Sequence, residues 1–305
     1  MTAQPAPALV LVDKPAGWTS HDVVGRMRRL AGTRKVGHGG TLDPMATGLL
    51  VIGIDRATRL LGYLAGHDKD YSACVRFGVS TLTDDAEGEV LEVKDAGAIT
   101  DDEVASAFAA MVGDLDQVPS SVSAVKVDGR RAYHRVRAGE DVRLAPRRVH
   151  IAHLEVSGLR RSTDGETGTV VDVDIEVSCS SGTYVRALAR DAGAALGVGG
   201  HLTALRRTRI GAFSVTQAHT LDDLATDLTT MPIAEAARSA FTAIDLDAEK
   251  SADVRVGRVL PLELVTQSAQ RSSPQPFALF DPAGEFLALY EIHGDALRAA
   301  AVFVG

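Results

Sequence analysis

The chain is 305 residues long, 45% hydrophobic and 24% charged, with a formal net charge of −8 and a pI near 5.6. That length suits one large domain or two. There is no asparagine, which excludes N-linked glycosylation and any catalytic or base-reading Asn. The only cysteines, Cys74 and Cys179, stand 105 positions apart, so no CxxC pair, zinc knuckle or disulfide framework is expected and a reducing cytoplasm is the simplest home.

Taken along the chain, Ala8 to Val12 is an apolar run ending in Asp13-Lys14-Pro15-Ala16-Gly17, a strand followed by a turn. Thr19 or Ser20 can cap a helix whose apolar positions Val23, Val24, Met27 and Leu30 follow helical spacing. Gly37-His38-Gly39-Gly40 is expected to interrupt regular structure before the apolar run Leu49 to Ile54. Ser72 to Val79 predicts a strand. Thr100 with Glu103 forms a capping box ahead of Val104, Phe108 and Met111, hence a helix.

The clearest strand is Val171 to Cys179, where Val171, Val173, Ile175, Val177 and Cys179 alternate with Asp172, Asp174, Glu176 and Ser178. Cys179 therefore belongs to the core. A helix is expected from near Thr183, with Leu188, Ala189, Ala192 and Leu196 on one side. Asp245 to Ser273 carries short β signals, and Phe277–Phe280 and Phe286–Ile292 flank the turn Asp281-Pro282-Ala283-Gly284. Residues 1–240 thus make one domain and 241–305 a small β-rich one, with an α+β (mixed α/β) class. No N-terminal signal segment and no membrane span of about 20 apolar residues is expected.

An average charge of −8 argues against a nucleic-acid partner. Segmentation reverses that. Residues 1–60 carry +4, 61–118 carry −10, 119–210 carry +5 and 211–305 carry −7. Lys126 to Arg148 alone holds eight basic residues. Such a run is by default a solvated face, and it gains meaning only beside the chemistry.

The unusual segment is Lys35 to Leu50, KVGHGGTLDPMATGLL. It is neither a Walker A loop nor a GxGxxG fingerprint, and His38 with Asp43 is too sparse for a metal site. This segment, LVDKPAGWTSHDVV (Leu11 to Val24), KDYSACVRFGVSTLTDDAEG (Lys69 to Gly88), SGTYVRALARDAG (Ser181 to Gly193) and HLTALRRTRIGAF (His201 to Phe213) occur in order. Together they resemble the bacterial tRNA pseudouridine-55 synthase family, the TruB type.

The resemblance implies a pseudouridine synthase fold. It would have a large, mostly antiparallel central sheet flanked by helices and a small C-terminal PUA-like RNA-binding domain. It implies isomerisation of a flipped-out T-loop uridine of tRNA by a monomer, with no cofactor, metal, membrane, protein partner or guide RNA. Asp43 matches the catalytic carboxylate, Tyr71 the tyrosine that stacks on the base, and Arg186 the arginine that pairs with the aspartate. Lys14, His38, Asp85, Tyr184 and Leu205 match substrate-binding positions. Lys14 would order a loop or touch phosphate, His38 would fill the gap in the stacked loop, and Leu205 would line the uracil pocket. Asp85 would order the loop around the substrate, with surface solvation as the alternative.

The chain departs from the family in three places. Gly39 stands where Thr is usual, Gln117 to Ala124 is divergent, and the acidic part beyond Thr242 matches poorly. A tRNA-folding chaperone and a guide-RNA-dependent synthase are the competing readings; Asp43, Tyr71 and Arg186 together disfavour a purely binding role.

Overall fold

The computed structural model describes residues 6–120, 126–127, 130–131, 144–164, 168–265 and 275–304. The chain divides into two compact units. The first comprises residues 1–43, 49–65 and 211–305, the second residues 44–48 and 66–210.

In the first unit, β1 (Ala8–Lys14) is buried along almost its whole length and is followed by α1 (Ser20–Leu30). Thr19 caps α1 through a box with Asp22: its hydroxyl accepts from the Asp22 N–H, and the Asp22 carboxylate accepts from the Thr19 N–H. Val23, Val24 and Met27 face the core. Of the glycine-rich stretch, Gly37 to Gly39 lie in a strand and not in a loop. β2 (Val36–Gly39) pairs antiparallel with β3 (Thr47–Ile54), and His38 lies opposite Ile52. Glycine suits this strand because Leu61 packs on it. A Cβ on Gly37 would stand 3.3 Å from a Leu61 methyl, and one on Gly39 3.4 Å.

The second unit is built on β4 (Lys69–Phe77), the hairpin of β5 (Val79–Thr81) and β6 (Val90–Val93), α2 (Asp101–Ala109), β7 (Gly113–Gln117), β8 (Arg147–Asp164), β9 (Gly168–Cys179), α3 (Val185–Ala195) and β10 (Gly200–Ile210). Its sheet runs β10-β4-β9-β8-β7, each neighbour antiparallel. At its β10 edge, Thr47 and Gly48 of β3 pair parallel with Arg206 and Arg207. The alternation read from Val171 to Cys179 is realised in β9, with all five apolar residues buried. Thr100 and Glu103 cap α2 as expected. α2 packs on β8, α3 packs on β10, and Phe108 meets Phe77 at 5.9 Å between ring centroids.

The C-terminal part of the first unit continues from α4 (Ile233–Ala240) into β11 (Thr242–Asp245), α5 (Ala248–Arg255), β12 (Leu260–Pro261), β13 (Phe277–Phe280), β14 (Phe286–His293) and β15 (Ala296–Val302). These strands form one sheet, β11-β13-β14-β15-β12. The expected Phe277–Ile292 hairpin is present, but the reading of Asp245 to Ser273 as short β segments misses α5. Asp247 caps that helix by accepting from the Lys250 N–H, and only Ser251 and Val254 are buried, so periodicity barely marks it. A core of Leu246, Val254, Leu260, Phe277, Leu279, Leu287 and Tyr290 lies beneath the sheet. The class is α+β. Among the described residues no helix is long and apolar enough to cross a membrane.

Candidate active site

The residues singled out from the sequence fall in both units. In the first, Lys14 ends β1 and is fully buried, its ammonium donating to the carbonyls of Pro15 (2.9 Å) and Trp18 (2.6 Å). Those contacts tie its side chain to the Pro15–Trp18 loop. His38 sits half-buried on β2. Asp43 is half-buried just after Leu42, whose position is set by Ser20. The Ser20 hydroxyl accepts from the Leu42 N–H (2.9 Å) and donates to the Leu42 carbonyl (3.1 Å). Sequence reading treated Ser20 only as a possible cap; Thr19 does the capping, and Ser20 holds the residue before Asp43.

In the second unit the sheet gathers a second group. Tyr71 on β4 is opposite Arg207 on β10 and Val177 on β9, while Leu205 is opposite Ala73. Opposed residues share a face. Tyr71, Leu205 and Arg207 are therefore on one face, each at most 8% exposed. Lys69, two residues before Tyr71 and on that face, donates to the His67 carbonyl (2.7 Å). Burial, with the Arg207 guanidinium adding to it, pushes the Lys69 ammonium down to about 8.

Gly48 fixes how β3 meets β10. Its φ is +96°, and a Cβ there would lie 2.3 Å from the Arg207 carbonyl oxygen. Only glycine allows that approach.

Tyr184 is the N-cap residue of α3, and Arg186 lies in its first turn. Arg186 Nη1 donates to the Thr83 carbonyl (2.7 Å) and to Asp85 Oδ2 (3.1 Å). Asp85 Oδ1 in turn accepts from the Thr83 hydroxyl (2.5 Å) and the Glu87 N–H (3.1 Å). Side-chain exposures of 6% for Arg186 and 5% for Asp85 rule out surface solvation as the account of Asp85.

One turn later, Arg190 donates to Asp84 Oδ2 (3.3 Å), Asp191 Oδ1 (2.8 Å) and the Val118 carbonyl (2.8 Å). Asp84 has φ +59°, a left-handed conformation that Asp tolerates. Burial raises its carboxyl pKa, against the Ser120 hydroxyl, Arg190 and Arg186, which lower it. The main-chain groups of Tyr184 are held by Gln117, also missed from the sequence. Both links tie residues far apart in the chain, and no local pattern announces them. Cys179 is buried, and that burial pushes its thiol up to about 11, as suits a core residue. Most of the basic run Lys126 to Arg148 lies outside the described residues, as do Ser121 to Ala124.

Three family models match in succession. "TruB family pseudouridylate synthase (N terminal domain)" covers residues 28–185, "tRNA pseudouridylate synthase B C-terminal domain" 186–241, and "tRNA Pseudouridine synthase II, C terminal" 241–304. The chain belongs to the TruB family of pseudouridylate synthases. This TruB-family chain is an isomerase of the pseudouridine synthase class, with that family's fold and C-terminal PUA-like domain. It is 54% identical over 296 residues to the tRNA pseudouridine synthase B of Paenarthrobacter aurescens (strain TC1), covering 97% of this chain and 94% of that one. To the Thermobifida fusca (strain YX) protein of the same name it is 54% identical over 300 residues, covering 98% and 99%.

Among solved structures, it is similar to the "Crystal Structure of a Cbf5-Nop10-Gar1 Complex". The TM-score is 0.72 at 23% identity, covering 100% of this chain and 91% of that one. It is also similar to the "Structure of H/ACA RNP bound to a substrate RNA containing 2'-deoxyuridine", with TM-score 0.71 at 23% identity over 98% and 85%. At that identity the likeness is one of fold. The poor C-terminal match expected from the acidic sequence is corrected: a family model covers residues 241–304, and they include an intact five-stranded sheet. That sheet buries an apolar core, which the acidic net charge of the segment does not reveal.

Proposed function

We propose that this enzyme acts on tRNA, converting uridine 55 of the T-loop to pseudouridine with Asp43 as the catalytic carboxylate. The N1–C1′ bond breaks, the uracil turns while bound, C5 bonds to C1′, and the C5 proton is lost as N1 gains one. An ionised Asp43 serves either as the nucleophile at C1′ or as the base that takes a proton from C2′ to give a glycal. A single carboxylate suffices, because no water is added and the two-carboxyl design of glycosidases is not needed. The observation that carries this reading is the clamp on Leu42: Ser20 binds both main-chain groups of the residue before Asp43, which fits a carboxylate that must be aimed.

Tyr71 stacks on the extruded base and takes part in removing the C5 proton, Leu205 lines the same pocket, and Tyr184 contacts the substrate. Arg186, already held by Asp85, orients Asp43. His38 fills the space the flipped base leaves. Asp85 orders the surrounding loop through Arg186, and Lys14 does so at the Pro15–Trp18 turn. The basic run from Lys126 to Arg148 and the C-terminal sheet hold the rest of the tRNA. The enzyme works in the cytoplasm as a monomer, without guide RNA, protein partner or cofactor.

The test is Asp43→Asn on an unmodified tRNA transcript, with the product mapped to the nucleotide. Pseudouridine at position 55 should vanish while tRNA affinity stays within a few-fold. Normal product from that variant would overturn the assignment, and wild-type product at another uridine would overturn the position. Binding by the basic segments predicts affinity falling with salt, with a log–log slope of about −0.9 per phosphate contact on duplex-like RNA.

A further inference from the structure

Gln117 ends β7 and is 1% exposed. Its Oε1 accepts from the Tyr184 N–H (2.8 Å), and its Nε2 donates to the Tyr184 carbonyl (3.0 Å). One primary amide thus pairs with both main-chain groups of a single residue, as a neighbouring strand would. Tyr184 needs this. It is the N-cap residue of α3 with φ −102° and ψ +101°, and its side chain makes no capping bond. Its N–H lies at the helix end, where no intrahelical partner exists. A neutral amide is the side chain that offers a donor and an acceptor in one plane at the required separation. The next residue reinforces the tie, since the Val118 carbonyl accepts from Arg190.

Two residues beyond Tyr184 stands Arg186, whose Nη1 is already shared between the Thr83 carbonyl and Asp85. A guanidinium so constrained has little freedom to correct a change in its own backbone, so its aim follows the peptide that precedes it. We infer that Gln117 is a positioning residue for the isomerisation: its amide sets the Tyr184 peptide at the start of α3 and, through it, the direction of Arg186. The inference rests on the role proposed above for Arg186.

Gln117→Glu provides a test that a merely structural pin would not pass. A protonated carboxylic acid presents one O–H donor and one C=O acceptor in the plane of the amide it replaces. An ionised carboxylate presents only acceptors and turns one of them towards the Tyr184 carbonyl. The measurement is kcat and KM on unmodified tRNA for wild type, Gln117→Glu and Gln117→Met, from about pH 8 to about pH 5.5. At the upper pH, both variants should lose about tenfold or more in kcat with KM within twofold, the signature of misalignment rather than lost binding. As pH falls, the Gln117→Glu rate relative to wild type should climb back, while Gln117→Met stays low throughout. Wild-type kcat in both variants, or equal losses that ignore pH, would overturn the inference. A wild-type enzyme that makes no pseudouridine under the same conditions would instead overturn the proposed function.

Discussion

Ser20 grips Leu42 by both of its main-chain polar groups, accepting from the N–H at 2.9 Å and donating to the carbonyl at 3.1 Å across 22 residues of chain. Ser20 is 4% exposed and Leu42 also 4%, so neither main-chain group has ready access to solvent. Ser20→Ala deletes both bonds at once and strands a donor and an acceptor. The expected loss is about 2 kcal/mol, which in a unit of this size lowers Tm by roughly 4–8 °C. Because Asp43 follows Leu42 directly, pseudouridine formation should fall by more than the unfolded fraction explains. Denaturation and single-turnover rates at a temperature where the variant is fully folded separate the two effects; an unchanged rate would make Ser20 purely structural.

The Arg186–Asp85 pair is buried on both sides, so its two halves should respond unequally to mutation. Asp85→Ala leaves a desolvated guanidinium without its carboxylate and is expected to cost about 3–5 kcal/mol, whereas Arg186→Met/Asp85→Leu together should recover part of that. Arg186→Lys keeps the charge but loses the planar fork, so activity should drop while tRNA affinity holds. Urea denaturation of the three variants, with initial rates on tRNA, checks both statements. A double variant no more stable than Asp85→Ala would mean the pair is not coupled.

What the chain reveals in advance is what is local. The alternation in β9 and the Thr100–Glu103 box are each written within a few consecutive residues, and both are realised. β2 escapes such reading because Gly37 and Gly39 have no side chains to alternate. It is a strand by virtue of pairing with β3 and receiving Leu61 on its glycines. α5 escapes for the opposite reason, since its cap is clear at Asp247 but its face is almost wholly polar. Within the candidate site, Asp43, Tyr71 and Arg186 are legible only through the resemblance of five motifs. Ser20 reads only as a possible cap, and Gln117 only as the start of a divergent stretch. Their partners lie 22 and 67 residues away, and polar side chains bound to distant main chain leave no periodic trace.

Gly48 is a close backbone approach that leaves no room for a side chain. Its φ of +96° disfavours any L side chain, and a Cβ would meet the Arg207 carbonyl oxygen at 2.3 Å and the Arg207 nitrogen at 2.9 Å. Backbone atoms cannot step aside as a side chain does. Gly48→Ala should therefore destabilise by more than about 2 kcal/mol, the strained dihedral and the clash acting together. The neighbouring Thr47→Ala is the control, because Thr47 is only half-buried. Thermal melts of the two variants decide it, and a Gly48→Ala melt matching the control would show that β3 and β10 can separate at no cost.

Lys69 makes stability depend on alkaline pH in a direction whose sign follows from its burial. In the folded protein its ammonium is pushed down to about 8 by desolvation, with Arg207 acting the same way, whereas the unfolded chain keeps the ordinary value near 10.5. Below about pH 8 both states hold the proton and the buried charge weakens the fold. Between about 8 and 10.5 the folded state releases its proton while the unfolded state retains it, so rising pH favours folding by up to about 1.4 kcal/mol per pH unit. Lys69→Met removes this group while conserving much of its volume. The stability of wild type minus that of Lys69→Met should therefore increase between about pH 7 and pH 10, a difference that cancels every other titrating group. Urea denaturation of the pair at three pH values measures it. A difference that stays flat would place the Lys69 ammonium in contact with water, and one that falls with pH would mean that a carboxylate holds it charged.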